Sequence, residues 1–208
     1  RRGYRMPSES DIRMQVFAHL TSGYTGLGYF TYEDQQGPAM VSNGTVKYRP
    51  IYYHVARLNQ EVVKVGQSLR FLTSTDFRYL PGPGNKVPAS MRRWAPGAGG
   101  LKSLRQLLIH GANQGPWRDL LVGTFKDDRG SRYLMLTNLW HGPAASAADR
   151  QVSVTLVVDP KVKTVGRLSR RTGKAESLAV SSGRLTITLP GGTGDLLRLG
   201  DAKFPGLE

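Results

Sequence analysis

The sequence contains no cysteine. That excludes disulfide frameworks, thiolate zinc sites and cysteine nucleophiles. Long apolar runs are missing too: stretches such as residues 154–158 fall far short of the ~20 residues a membrane helix needs, so no membrane partner is expected. Histidine is scarce, and His19, His54, His110 and His141 stand at no metal-ligand spacing; neither a metal nor a cofactor is expected. There is no G-x-S-x-G nucleophile elbow. The glycine-rich stretch 97–100 lacks the lysine and the strand–loop–helix context of a phosphate loop. The opening Arg1-Arg2-Gly3-Tyr4 has no apolar core of the kind a signal peptide carries. It reads as the start of an internal stretch, with any signal peptide lying upstream.

Acid is in short supply. Fifteen Asp and Glu face 29 Lys and Arg, a formal net charge of +14. Such a balance is the first mark of a nucleic-acid binder, but phosphate binding needs several cations on one face. Here the basic residues are scattered, and no run exceeds two. The densest zone, residues 161–174, has six in fourteen positions and otherwise alternates like a hairpin. No helix-turn-helix, zinc-finger or RNA-recognition pattern accompanies them. A basic solvated surface is the favoured reading, and nucleic acid is not expected as a partner.

Two kinds of patterning divide the chain. Residues 8–22 read as a helix: Ser8 with Asp11 three residues on resembles a capping box. Ile12, Val16 and Leu20 mark one apolar face, and Gly23 supplies a stop. Residues 26–32 (Gly-Leu-Gly-Tyr-Phe-Thr-Tyr) read as a short strand covered on both faces, as in a parallel α/β sheet. Pro50 then opens a long helix whose apolar residues Ile51, Val55, Leu58, Val62, Val65 and Leu69 recur in steps of four and three. Residues 81–116 form a Gly/Pro-rich connector with one helix expected at 101–109. From Trp117 the period becomes two. Strands are expected at 120–125, 133–138, 152–158, 162–168, 178–180, 185–189 and 196–199, separated by turns such as Asp127-Asp-Arg-Gly130. Short strands at regular spacing predict an antiparallel β-sandwich.

The run Arg13-Met-Gln-Val-Phe-Ala-His-Leu-Thr-Ser-Gly-Tyr-Thr-Gly-Leu-Gly-Tyr-Phe-Thr-Tyr32 resembles the last helix and strand of the TIM barrel in β-galactosidase-like glycoside hydrolases of family 42 and their relatives. The helix 51–69, with Asn59-Gln-Glu-Val62 and Gly66-Gln-Ser-Leu69, is similar to the helix that closes such barrels. Leu120-Leu-Val-Gly-Thr-Phe-Lys-Asp-Asp128, Tyr133-Leu-Met-Leu-Thr-Asn138 and Asp195-Leu-Leu-Arg-Leu199 resemble the β-sandwich that trails them. The resemblance implies an α/β plus all-β fold in three parts. These are the end of a (β/α)8 barrel at 1–80, the connector at 81–116, and an accessory β-sandwich at 117–208. It also implies hydrolysis of a carbohydrate substrate by two carboxylates of the whole enzyme. A full barrel takes about 250 residues, so both carboxylates would lie upstream of Arg1, and no catalytic residue is assigned.

Candidate substrate-binding residues are Tyr32, Glu33 and Asp34, at the barrel end where active sites form. Glu33 and Asp34 are not an acid–nucleophile pair. Neighbours in an extended segment point to opposite faces, and glycosidase pairs stand roughly 5–9.5 Å apart across a sugar. One of them serves as a sugar-hydroxyl acceptor, and Tyr32 as a stacking surface. Tyr29 and Phe30 are assigned to the core. Tyr4 and Arg5 are minor candidates for the pocket wall, and Trp94 and Trp117 are read as anchors of the connector. The alternatives are a carbohydrate- or polyanion-binding β-sandwich without catalysis, or a structural interaction domain; oligomeric state is left open.

Overall fold

The computed structural model describes residues 5–34, 39–42, 47–82, 84, 86–110 and 118–207. Its body is two facing antiparallel sheets. The larger runs in the order β10-β9-β12-β7-β6-β4 and the smaller in the order β11-β8-β5. Their strands are β4 (Thr73–Leu80), β5 (Leu104–His110), β6 (Leu120–Lys126), β7 (Arg132–Asn138), β8 (Val152–Val158), β9 (Thr164–Leu168), β10 (Ala175–Ala179), β11 (Arg184–Leu189) and β12 (Gly194–Leu199). Three two-residue strands, β1 (Glu33–Asp34), β2 (Val41–Ser42) and β3 (Lys47–Tyr48), make a separate ribbon. Two α-helices, α1 (Glu9–Ser22) and α2 (Pro50–Leu69), and two three-residue 3-10 helices (Ala98–Gly100 and Ala148–Arg150) complete the regular structure of the described residues.

Why three layers form is written in the central strands. In β7 successive residues alternate between two cores. Leu134 and Leu136 face the small sheet with Val154, Leu156 and Ile187, while Tyr133 and Met135 face the helices with Phe17, Val55 and Leu58. The large sheet is therefore apolar on both faces, one covered by the second sheet and the other by α1 and α2. Each fully buried aliphatic side chain contributes ~1.5–3 kcal/mol over leaving it in water.

Local signals hold where they were clearest. Ser8 caps α1 reciprocally with Asp11, and Gly23 closes it in the left-handed conformation (φ 100°), donating to the Leu20 carbonyl. Pro50 sits in the first turn of α2. The seven strands expected after Trp117 are all present, displaced by a few residues at most.

Three expectations are corrected. Residues 26–32 do not form a strand. Phe30 is 98% exposed, and a Cβ on Gly26 or Gly28 would meet nothing within 4 Å, so the segment lacks the cover on both faces that a buried strand needs. The helix expected at 101–109 is strand β5. A bulge between Leu104 and Gln106 inserts Arg105 as an extra residue, so buried Leu104 and Leu107 stand three apart and imitate a helical step. The division at 80 and 117 is crossed by the sheets. β4, from the expected barrel part, pairs with β6, and β5, from the expected connector, pairs with β8. Among the described residues no TIM barrel is present, and the one parallel strand pair is β1 with β2. Among the described residues no helix is long and apolar enough to cross a membrane.

Candidate functional site

The loop between α1 and α2 brings the expected site residues to one edge of the helical layer. Tyr29 donates its hydroxyl to Asn59 Oδ1 at 2.7 Å, pinning the incoming segment to α2. The backbone of Tyr32 accepts from Val41 N–H at 2.9 Å, and Met40 accepts from Arg49 N–H at 2.9 Å. The ribbon β1–β3 thus returns the chain directly to the start of α2.

That return builds an aromatic cluster. Tyr48 is the last residue of β3, and Pro50 starts the helix, so Tyr52 in its first turn comes to lie against Tyr48. The two rings stack with centroids 4.1 Å apart and an interplanar angle of 23°. Tyr53 stands edge-on to both, at 6.3 Å from Tyr48 and 5.4 Å from Tyr52. Offset stacks and T-shaped pairs are the geometries the ring quadrupole favours. Tyr32 joins them: desolvation, then the neighbouring Tyr48 and Tyr52 phenols and the Glu33 carboxylate, raise its hydroxyl above the ordinary tyrosine range. Tyr32, Tyr48 and Tyr53 are 54%, 43% and 50% exposed, so the cluster offers ring faces to solvent. Glu33, also exposed, is the carboxylate nearest to it in sequence. For Asp34 the structure gives the backbone position, in β1 opposite Ser42.

The other candidates part from this group. Phe30, assigned to the core, projects into solvent, while Tyr29 is half-buried against the helical core as expected. Arg5 forms an ion pair with Asp11 at the start of α1 instead of lining the site; Tyr4 and Trp117 lie outside the described residues. Trp94 is buried in the sandwich core. Each histidine has a separate neighbour: Gln15 for His19, Arg57 for His54, Thr155 for His110 and Asp11 for His141. Among the described residues no group of three or more His, Asp or Glu is placed to hold a metal ion.

Tyr48, Tyr52 and Tyr53 escaped the sequence reading. Their only linear signal is Tyr48-Arg-Pro-Ile-Tyr-Tyr53, where a proline-started helix puts its first-turn rings beside the residue that precedes it.

Beneath the cluster the layer is fixed by charge. Arg13 of α1 donates to both Glu61 oxygens of α2, at 3.0 and 2.6 Å, and its Nε donates to Thr193 at 2.7 Å. Arg170 bridges Glu61 at 3.1 Å and Asp195 of β12 at 2.6 Å. Burial pushes the Glu61 carboxyl up, but Arg13 and Arg170 outweigh it and hold it below its ordinary value. The carboxylates Glu61 and Asp11 are thus turned inward. Arg57, Lys64, Arg70 and the aromatic side chains are left on the outer face. Among the described residues the exposed large hydrophobic side chains all lie between Met6 and Phe71. The helical side is the apolar side of the described surface.

Compared with family models, with curated proteins and with solved structures, the chain matches none.

Proposed function

We propose that this chain is the C-terminal part of a glycoside hydrolase, with the helical layer facing the catalytic part of that enzyme and the β-sandwich as its accessory domain. The whole enzyme hydrolyses a glycosidic bond through two carboxylates and an oxocarbenium-like transition state. Neither carboxylate is assigned to this chain. The observation that carries the reading is the helical side of the molecule. Among the described residues it alone exposes large hydrophobic side chains, as a surface made to be covered is expected to do, and a tyrosine cluster stands at its edge. Ring faces of Tyr32, Tyr48 and Tyr53 suit the C–H face of a pyranose, and Glu33 supplies an acceptor for a sugar hydroxyl. Tyr32 and Glu33 bind substrate in this reading; Asp34, adjacent in the ribbon, completes the segment that carries them.

On this account the chain alone is catalytically inert. The purified protein is to be incubated with a panel of aryl α- and β-glycosides and the released phenol followed; turnover at enzyme-like rates overturns the assignment of both carboxylates elsewhere. The net charge of +14 favours a second reading, a polyanion-binding sandwich. Retention on heparin that weakens steeply with salt supports it through counterion release, and passage through the column at moderate salt removes it.

A further inference from the structure

A second polar site lies away from the tyrosine cluster, where α1 meets the end of β4 and the loop after β7. A cavity of about 240 Å³ there is lined by Met14, Tyr79, Asp119, Leu139 and His141. That is below the roughly 300–1,000 Å³ of sites for drug-sized ligands, so its occupant is small. Two hydrogen-bonded pairs border it. His141 Nδ1 lies 2.7 Å from Asp11 Oδ1, and the Tyr79 hydroxyl donates to Asp119 Oδ2 at 2.6 Å.

The surroundings of each pair decide what it offers. The Asp11 side chain is 4% exposed. Burial raises its carboxyl, but Arg5, the Ser8 amide and His141 together hold it well below the usual carboxylate range. It is an acceptor at any ordinary pH. Asp11 therefore accepts the Nδ1 hydrogen of His141, and Nε2 is the ring nitrogen left for a ligand. On the other side, burial and then Asp119 push the Tyr79 hydroxyl far above the tyrosine range, so it stays protonated with its hydrogen committed to Asp119. The second Asp119 oxygen accepts from Gly82 N–H at 2.6 Å. That close approach needs glycine: a Cβ at residue 82 would stand 2.7 Å from the Arg118 carbonyl oxygen.

The lining thus presents acceptors (Nε2, the Tyr79 oxygen, the remaining lone pairs of Asp119) between two apolar walls, Met14 and Leu139. Among the described residues no lysine or arginine lines it, which disfavours an anion. Asp11 is paired with Arg5, and each oxygen of Asp119 already accepts from one neutral donor, so the site offers remaining lone pairs to hydroxyl donors and no open, unbonded carboxylate. What remains is a neutral molecule with several hydroxyl donors and a C–H face. We propose that this cavity is a ligand site for a small neutral polyol of monosaccharide size, bound by His141, Tyr79 and Asp119. The site is independent of the glycosidase reading and of the tyrosine cluster.

The test follows the histidine ring protons by NMR while glycerol, myo-inositol and D-galactose are added in turn. The chain has four histidines, and the His141 signal is assigned by its loss in His141→Gln. The expected result is a saturable shift of that signal with at least one polyol. Affinity should fall about fivefold in Tyr79→Phe, the factor one ordinary hydrogen bond is worth, and stay unchanged in Tyr52→Ala. Unchanged thermal unfolding of Tyr79→Phe shows that the loss is local. Three results overturn the proposal: no saturable shift with any of the three polyols, a shift equally strong in Tyr79→Phe, or saturation by ethanolammonium in place of the polyols.

Discussion

Replacing Glu61 by glutamine removes one charge from the joint between both helices and the large sheet. Glu61 retains 22% of its side-chain surface in water, whereas its partners Arg13 and Arg170 retain 6% and 17%. The substitution leaves two poorly hydrated guanidinium groups side by side. Arg170 still has Asp195 at 2.6 Å, but Arg13 keeps Thr193 and a distant Glu9, 4.0 Å away. Removing one member of a buried ion pair costs about 3–5 kcal/mol; the residual hydration of Glu61 and the surviving Asp195 contact place this case near 3. In a domain of this size ~1 kcal/mol moves the melting temperature by roughly 2–4 °C, so Glu61→Gln should melt about 6–12 °C lower at pH 7. The pH dependence fixes the cause. The folded-state pKa of Glu61 is depressed, so its stabilisation is fully present above the unfolded value of about 4.3 and is lost as pH falls through the folded value. Urea unfolding of both proteins at neutral and acidic pH measures this. The gap between them should close as Glu61 itself becomes protonated. A variant within about 0.5 kcal/mol of the parent at pH 7, the range of ordinary surface changes, refutes the reasoning. So does a gap that persists in acid.

Ser8→Ala removes one half of the capping box of α1, and unfolding should register a loss of about 1 kcal/mol. Gly123 lies where α1 rests on β6, and a Cβ there would overlap the Thr21 carbonyl oxygen. Gly123→Ala should therefore cost about 3 kcal/mol by overpacking, seen as a lower urea midpoint. Tyr52→Ala removes one ring of the 4.1 Å stack, and with it about 1 kcal/mol of aromatic pairing. Binding of an aryl glycoside, measured by calorimetry, should be lost with little further change in stability.

The sandwich was legible because the strands after Trp117 are short apolar runs and the turns between them carry turn-forming residues. Asp127, for example, accepts from the amides of Arg129 and Ser131 in the β6–β7 hairpin. β5 was misread because its bulge disguises period two as a helical step. β4 was missed for another reason: an edge strand whose first three residues are exposed has no apolar alternation to show. Residues 26–32 have the aromatic density of a buried strand, yet Phe30 projects into solvent and Tyr32 is 54% exposed, while Tyr29 packs on the helical core. The tyrosine cluster needed the stacking of residues across a strand–helix junction. The His141–Asp11 pair joins positions 130 apart in sequence. Neither carries a linear motif. The capping box, Pro50 and the apolar spacing foresaw both helices, whereas the parallel sheet expected beside them is absent among the described residues: α1 and α2 pack on the large sheet of the sandwich.

The most direct test of the functional account is a titration of the purified chain with aryl β-galactosides, watching the tyrosine ring protons by NMR while the solution is assayed for free phenol. The account predicts saturable shifts for Tyr32, Tyr48, Tyr52 and Tyr53, their loss in Tyr52→Ala, and no phenol released. Rings that stay unmoved across the panel, or glycoside that is cleaved, contradict it.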